Sequence, residues 1–252
     1  MKIFNKYKGG NIQIISAPRT GSNYLSNIIL TSINTPNILI NEPLRHKYDK
    51  LQYIDNIYIK TKFLKNHYFY TDKIKFNKNI FSHFKTPYII KHHYNYKNID
   101  VIINSQYYNI FLFRKNLFEM LLSSTISKTV NEWIIPNFKQ LFISHNEFNK
   151  YFIWTIDKLI MLLNYNIKYD LIIFYENFTF DENNDLFNLG FLPINNYLYK
   201  QISGKKFPPK NLIVKNYDEI KKYYFELIKD INVPGITIDG EIIHIDKFKE
   251  YE

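Results

Sequence analysis

The sequence predicts an α/β protein: a doubly wound, mainly parallel five-stranded sheet flanked by helices, with a helical insert and a C-terminal hairpin. Three observations carry that expectation. Short apolar runs alternate with longer segments of helical periodicity, the order that βαβ units require. The apolar runs are continuous rather than alternating, which suits parallel strands covered on both faces. No internal repeat and no linker rich in Pro, Gly or Ser interrupts the chain, so residues 1–252 are expected to form a single domain.

The elements follow in order. Asn11 to Ser16 reads as a buried strand, and Ser22 to Ile33 as a helix with Leu25, Ile28, Ile29 and Ile33 at helical spacing. Ile38 to Ile40, Pro87 to His92, Tyr108 to Phe113 and Asp170 to Tyr175 supply the other four strands. Further helices are expected over Tyr96 to Ser105, Leu117 to Thr129, Glu147 to Asn164 and Tyr217 to Lys229, with Asn116 and Glu119 as a capping box opening the second of these. Residues 45–86 are basic, Tyr-rich and weakly periodic, and are expected to form an inserted helical or lid segment that shapes an acceptor pocket. Residues 235–246 read as a hairpin, with Asp239-Gly240 as the turn.

Composition narrows the function classes. With 252 residues, 46% of them hydrophobic, the chain buries a core without staples. It has no cysteine, which excludes disulfide frameworks, thiolate nucleophiles and Cys-ligated metal sites. Its most apolar stretch, Tyr151 to Tyr165, is broken by Asp157 and Lys158, so no membrane span is expected. The amino terminus lacks an apolar signal core, and a soluble, cytoplasmic protein is expected. The net charge of +10 would suit a phosphate-rich partner. However, the chain has thirty lysines, three arginines and a single alanine, a skew that AT-rich coding produces whatever the protein does. Bulk lysine is therefore poor evidence for nucleic-acid binding, and the scarce arginines Arg19, Arg45 and Arg114 carry more information.

The most informative segment is Ile14-Ile15-Ser16-Ala17-Pro18-Arg19-Thr20-Gly21-Ser22-Asn23-Tyr24. A strand ends, a tight loop carries one glycine, and a helix begins. Such a loop exposes consecutive backbone N–H groups at a positive helix end, so Thr20, Gly21, Ser22 and Asn23 could cradle a phosphate. A plain strand-to-helix turn with Gly21 at positive φ would use the same residues. The GxxxxGK[ST] pattern of ATP-binding loops is absent, which argues against Mg²⁺-centred NTPase chemistry.

Pro18-Arg19-Thr20-Gly21-Ser22 resembles the 5′-phosphosulfate-binding loop of the sulfotransferases that use 3′-phosphoadenosine-5′-phosphosulfate (PAPS). The resemblance implies a P-loop nucleoside-kinase-like sheet. It implies that Arg19 touches the transferred sulfuryl group and leaving phosphate, and that Tyr24 stands where cytosolic members carry a Trp near the adenine. Arg114 or Lys115, at the end of Tyr108 to Phe113, with Ser123 on the next helix, is similar to the family's 3′-phosphate site; Arg suits a forked phosphate contact. Ile89-Ile90-Lys91-His92-His93 resembles the family's strand-end Lys-x-His, whose His is the base, and His93 matches that His. Glu42, in Asn41-Glu42-Pro43-Leu44-Arg45, is the alternative base, since some relatives place a carboxylate after the second strand. Leu171 to Phe178 looks like the family's structural Tyr-Glu strand. Lys206 or Lys205 stands where relatives close a basic loop over the 3′-phosphate.

The matches fall in the family's order across residues 11 to 215. What they imply is in-line sulfuryl transfer from PAPS, releasing 3′,5′-ADP (PAP), to a hydroxyl or amine of a carbohydrate or small molecule, with His93 or Glu42 as base and no metal. Two other classes remain: a basic single-stranded nucleic-acid-binding protein using interleaved Lys and Tyr, and a nucleotide or sugar kinase on a related sheet.

Overall fold

A computed structural model describes residues 2–3, 6–32, 35, 38–41, 53–54, 57–59, 68–70, 74–75, 87–93, 106–129, 140–164, 168–177 and 209–251. The chain forms two compact units, the first from Met1–Phe113 with Asn166–Lys205, the second from Arg114–Tyr165 with Lys206–Glu252.

The first unit is a sheet with a helix packed on it. Its strands are β1 (Lys2–Ile3), β2 (Ile12–Ser16), β3 (Ile38–Asn41), β5 (Ile57–Ile59), β6 (Tyr68–Tyr70), β8 (Ile89–His93), β9 (Tyr108–Phe113) and β10 (Leu171–Phe174), in the spatial order β1-β10-β9-β2-β8-β3-β5-β6. The middle of the sheet, β10, β9, β2 and β8, is parallel throughout, and β3 lies parallel to β8. Antiparallel pairing appears at the edges, where β1 joins β10 and β5 joins β3. The expected sheet of five strands is thus corrected to one of eight. Of residues 45–86, where a helical or lid insert is expected, the ten described residues lie in strands, with β5 and β6 extending the sheet and β4 (Tyr53–Ile54) pairing with β7 (Ile74–Lys75), and the rest of the segment lies outside the described residues. The physical reason lies in residues such as Ile57-Tyr58-Ile59 and Tyr68-Phe69-Tyr70: β-branched and aromatic side chains favour strands, and the outer edge of β3 supplies backbone partners. The helix expected over Tyr96 to Ser105 lies outside the described residues.

Every residue of β2 is buried, as a strand between two parallel neighbours requires. Ile12 and Ile14 share a core with Ile89, Ile110, Leu112, Leu171 and Ile173 from the neighbouring strands and with Leu25, Ile28, Ile29 and Leu30 of α1 (Ser22–Thr31). The helical spacing of Leu25, Ile28 and Ile29 is what lets one face of α1 meet the sheet. From β2 the chain goes outward to β3, returns to β8, and then crosses β2 to reach β9 and β10. Strand order therefore reverses beside β2, and in open α/β sheets ligands bind at the carboxyl ends of strands at such a reversal.

The second unit contains α2 (Leu117–Thr129), α3 (His145–Asn164), α4 (Lys210–Ile213), α5 (Tyr217–Lys229) and the antiparallel hairpin of β11 (Ile236–Asp239) and β12 (Ile242–Ile245). The Phe118 ring centres its core, 6.1 Å from Phe148, 5.6 Å from Tyr217 and 5.2 Å from Tyr224. Burial pushes the Tyr224 hydroxyl up in pKa, and this neutral donor bonds the Gly240 carbonyl at 3.0 Å, pinning the hairpin turn. Gly240 adopts φ 58°, as the Asp-Gly turn requires. The hairpin is tied to the start of α2 by Leu117 N–H donating to Glu241 O at 2.8 Å and Ile243 N–H to Lys115 O at 2.9 Å.

Candidate anion-binding site

The loop between β2 and α1 is built by two left-handed residues. Arg19 has φ 66° and Gly21 φ 84°. For Arg19, that conformation costs about 1–2 kcal/mol, and such strain is commonly stored at functional sites. Thr20, fully buried, closes the turn by donating its hydroxyl to the Ala17 carbonyl at 2.8 Å. Gly21 is the N-cap of α1 and accepts the first helical bond from Leu25 N–H at 3.0 Å. No side chain caps this helix end and its first turn holds no acidic residue. The leading N–H groups are thus available for an external acceptor, and nothing anionic in the turn competes.

Gly21 is required for a second reason. A Cβ placed there would lie 2.6 Å from Cε2 and 2.7 Å from Cδ2 of Tyr175. Tyr175 begins the 3₁₀ turn Tyr175–Asn177 directly after β10, so the end of that strand supports the loop from one side. The turn needs φ > 0, and the ring leaves no room for a side chain.

From the other side the site is bordered by β8. In parallel pairing, Ile14 is in register with Lys91 and Ser16 with His93. Register partners share a face, so Lys91 projects toward the α1 side of the sheet, where Ile14 and Ile89 are packed. Lys91 is fully buried, and its Nζ donates to Oδ1 of Asn23 in the first turn of α1. His93, only partly buried, brings Nδ1 within 3.3 Å of Ser16 Oγ and 3.4 Å of Ser16 O. A carbonyl only accepts, so the latter contact favours hydrogen on Nδ1 and the basic lone pair on Nε2. His92, one residue earlier, is buried at 1% exposure and belongs to the other face of the strand.

Pro18, Arg19, Thr20, Gly21, Ser22 and Asn23 therefore lie together at the carboxyl end of β2, with Lys91 and His93 beside them. Tyr24 is partly buried and packs against the core beneath α1. Glu42, Arg45, Lys205 and Lys206 lie outside the described residues. Sequence reading noted Lys91 only as the Lys of the Lys-x-His pattern and Tyr175 only within a structural Tyr-Glu strand, and foresaw neither the bond of Lys91 to Asn23 nor the ring of Tyr175 against Gly21. The Lys-x-His pattern at the end of the apolar run Tyr88-Ile89-Ile90 was the available signal for Lys91. No sequence signal exists for the ring of Tyr175 against Gly21.

In the second unit, Arg114 places Nη2 3.7 Å from Glu119 Oε2. Lys210 Nζ also meets that carboxylate and donates to the Glu119 carbonyl at 2.6 Å. Two cations thus flank one carboxylate. Ser123 is on the buried side of α2. The expected capping box is half formed: Asn116 Oδ1 accepts from Glu119 N–H at 2.8 Å, while the Glu119 carboxylate turns to Arg114 and Lys210. Among the described residues no group of three or more His, Asp or Glu could hold a metal ion, and no helix is long and apolar enough to cross a membrane.

No protein-family model matches the chain, and no curated protein matches it. Among solved structures, the mouse sulfotransferase SULT7A1, crystallised in complex with PAP, is similar over 90% of this chain and 69% of its own, at 12% identity and a TM-score of 0.32. A likeness of that degree transfers neither activity nor ligand.

Proposed function

We propose that the chain is a PAPS-dependent sulfotransferase whose loop 18–23 takes the 5′-phosphosulfate. The observation that carries this reading is the loop itself: an uncapped helix end, two left-handed residues in the turn before it, and Arg19 and Lys91 beside a first turn that holds no acidic residue. That donor set suits an anion, and the Pro-Arg-Thr-Gly-Ser pattern makes a phosphosulfate the preferred one. PAPS would supply an activated sulfuryl group and a good leaving phosphate. The chain's own work would be to bind and to neutralise charge: Thr20, Gly21 and Ser22 N–H groups would hold the phosphate oxygens, and Arg19 would stabilise charge developing on the leaving oxygen. His93 Nε2 or the Glu42 carboxylate would take the proton of an acceptor hydroxyl or amine. Arg114 and Ser123, with Lys206, are proposed as 3′-phosphate contacts on the strength of the sequence pattern, as Tyr24 is for the adenine. The acceptor is proposed to be a carbohydrate or small molecule.

The test is twofold. Thermal-shift titration of the full chain should show stabilisation by 3′,5′-ADP and none by ATP with Mg²⁺. A screen of acceptors with PAPS should yield a sulfated product, and Arg19→Ala should lower kcat by on the order of 10²–10³. An Arg19→Ala protein of undiminished turnover would sink the mechanism, and stabilisation by ATP instead of 3′,5′-ADP would favour the kinase reading.

A further inference from the structure

We propose that Lys210 is a positioning residue: by holding the Glu119 carboxylate it keeps that anion from forking onto Arg114, so that the guanidinium serves a phosphate of the ligand. The proposal rests on the reading of Arg114 as a 3′-phosphate contact.

The argument begins with three charges in the second unit. Arg114 and Lys210, the first residue of α4, both meet one carboxylate, that of Glu119 in the first turn of α2. The side chains of Arg114, Lys210 and Glu119 are only 15%, 17% and 27% exposed, so their attractions are stronger than in open water. An arginine and a carboxylate left to each other make two parallel hydrogen bonds. Here that fork is missing. Arg114 Nη2 stands 3.7 Å from Glu119 Oε2, beyond hydrogen-bond length, while Lys210 Nζ donates to the same oxygen.

The surrounding backbone is fixed on both sides of this competition. Glu119 N–H donates to Asn116 Oδ1 at 2.8 Å, and the Glu119 carbonyl accepts from Lys210 Nζ at 2.6 Å. The ammonium has three hydrogens and directs two of them at one residue, so the carbonyl anchors it beside the carboxylate. The turn that carries Arg114 is pinned by the hairpin: Ile243 N–H donates to Lys115 O at 2.9 Å, Leu117 N–H to Glu241 O at 2.8 Å, and Asn116 Nδ2 to Glu241 Oε2 at 3.1 Å. With both backbones held, the side chains decide which cation takes the carboxylate. Two cations against one carboxylate leave a positive charge in excess, and a ligand anion balances it.

The test measures, by calorimetry on the full chain, the Kd of 3′,5′-ADP and of 5′-AMP, which lacks the 3′-phosphate. Lys210→Met releases the carboxylate to Arg114. Its Kd for 3′,5′-ADP should rise on the order of tenfold, the loss of one charge-assisted contact, while that for 5′-AMP holds. Adding Glu119→Gln removes the competing anion, and the double variant should regain the affinity of the parent. A purely structural Lys210 would weaken both ligands alike and gain nothing from the second substitution. Either of those results overturns the proposal, as does an unchanged Kd in Lys210→Met. Glu119→Gln alone should bind 3′,5′-ADP more tightly than the parent, and equal or weaker binding overturns the proposal; this variant decides if Lys210→Met fails to fold. Arg114→Ala separates the two kinds of failure. Full affinity there, or no binding by the unsubstituted chain, overturns the reading of Arg114 and the proposal together, whereas a loss there with none in Lys210→Met overturns the proposal alone.

Discussion

Gly21 shows how much of the candidate site depends on one residue. Its φ of 84° is open to glycine and costs a residue with a Cβ about 1–2 kcal/mol. The Tyr175 ring adds a steric term, since a Cβ would sit 2.6 Å from Cε2. Gly21→Ala is therefore expected to lower the Tm, with a loss exceeding the backbone cost alone. Adding Tyr175→Ala should recover the steric part and leave the backbone part, which a double-mutant comparison of melting temperatures would reveal. Full recovery would show that the left-handed turn is unimportant. Arg19 poses the opposite problem, because a bulky side chain occupies a left-handed position where glycine would be easier. An arginine kept there, in a chain with only three, is what a functional contact would require.

At the scale of elements, α2 and α3 start on side-chain caps, whereas α1, α4 and α5 do not. Asn116 caps α2 through Glu119 N–H at 2.8 Å. At α3, Ser144 and Glu147 form a reciprocal box: Ser144 Oγ accepts from Glu147 N–H at 3.2 Å, and Glu147 Oε2 accepts from Ser144 N–H at 3.4 Å. Replacing Asn116 by Ala should cost about 1 kcal/mol of stability, read as a lower denaturant midpoint with an unchanged slope. Ser144→Ala should cost less, because those bonds are exposed and longer. Equal stability of Asn116→Ala and the parent would mean that water replaces the cap at no loss.

For the whole molecule, the net charge of +10 and the local anion site make separable predictions. Charge spread over thirty lysines attracts any polyanion, and that attraction falls steeply with salt as counterions compete. Stabilisation by a single-stranded oligonucleotide should therefore fade on going from about 50 to 200 mM salt. On the proposed reading, stabilisation by 3′,5′-ADP comes from directed N–H groups and Arg19 and should persist across the same range. Thermal-shift curves with both ligands over a salt series check this directly. The reverse pattern would restore the nucleic-acid reading.

Local pattern was enough to place many elements of this chain. The helices Leu117–Thr129 and Tyr217–Lys229 begin and end where their periodicity and flanking residues place them. The hairpin follows from Asp239-Gly240 between two apolar triplets, and the run of a buried strand, a Gly-bearing loop and a helix announces the candidate site. Each of these is encoded within one or two turns of chain, so spacing alone reveals it. What only tertiary structure decided are the meetings between distant residues. Lys91 reaches Asn23 across 68 positions, Lys210 reaches Glu119 across 91, and the Tyr175 ring reaches Gly21. Strands β5 and β6 likewise exist because β3 offers an edge, a fact about the assembled sheet. Periodicity states which face of a segment is apolar, but it carries no information about which residue of another segment that face will meet. The contacts that shape this site were decided there, in the register of parallel strands and the packing of the turns that follow them.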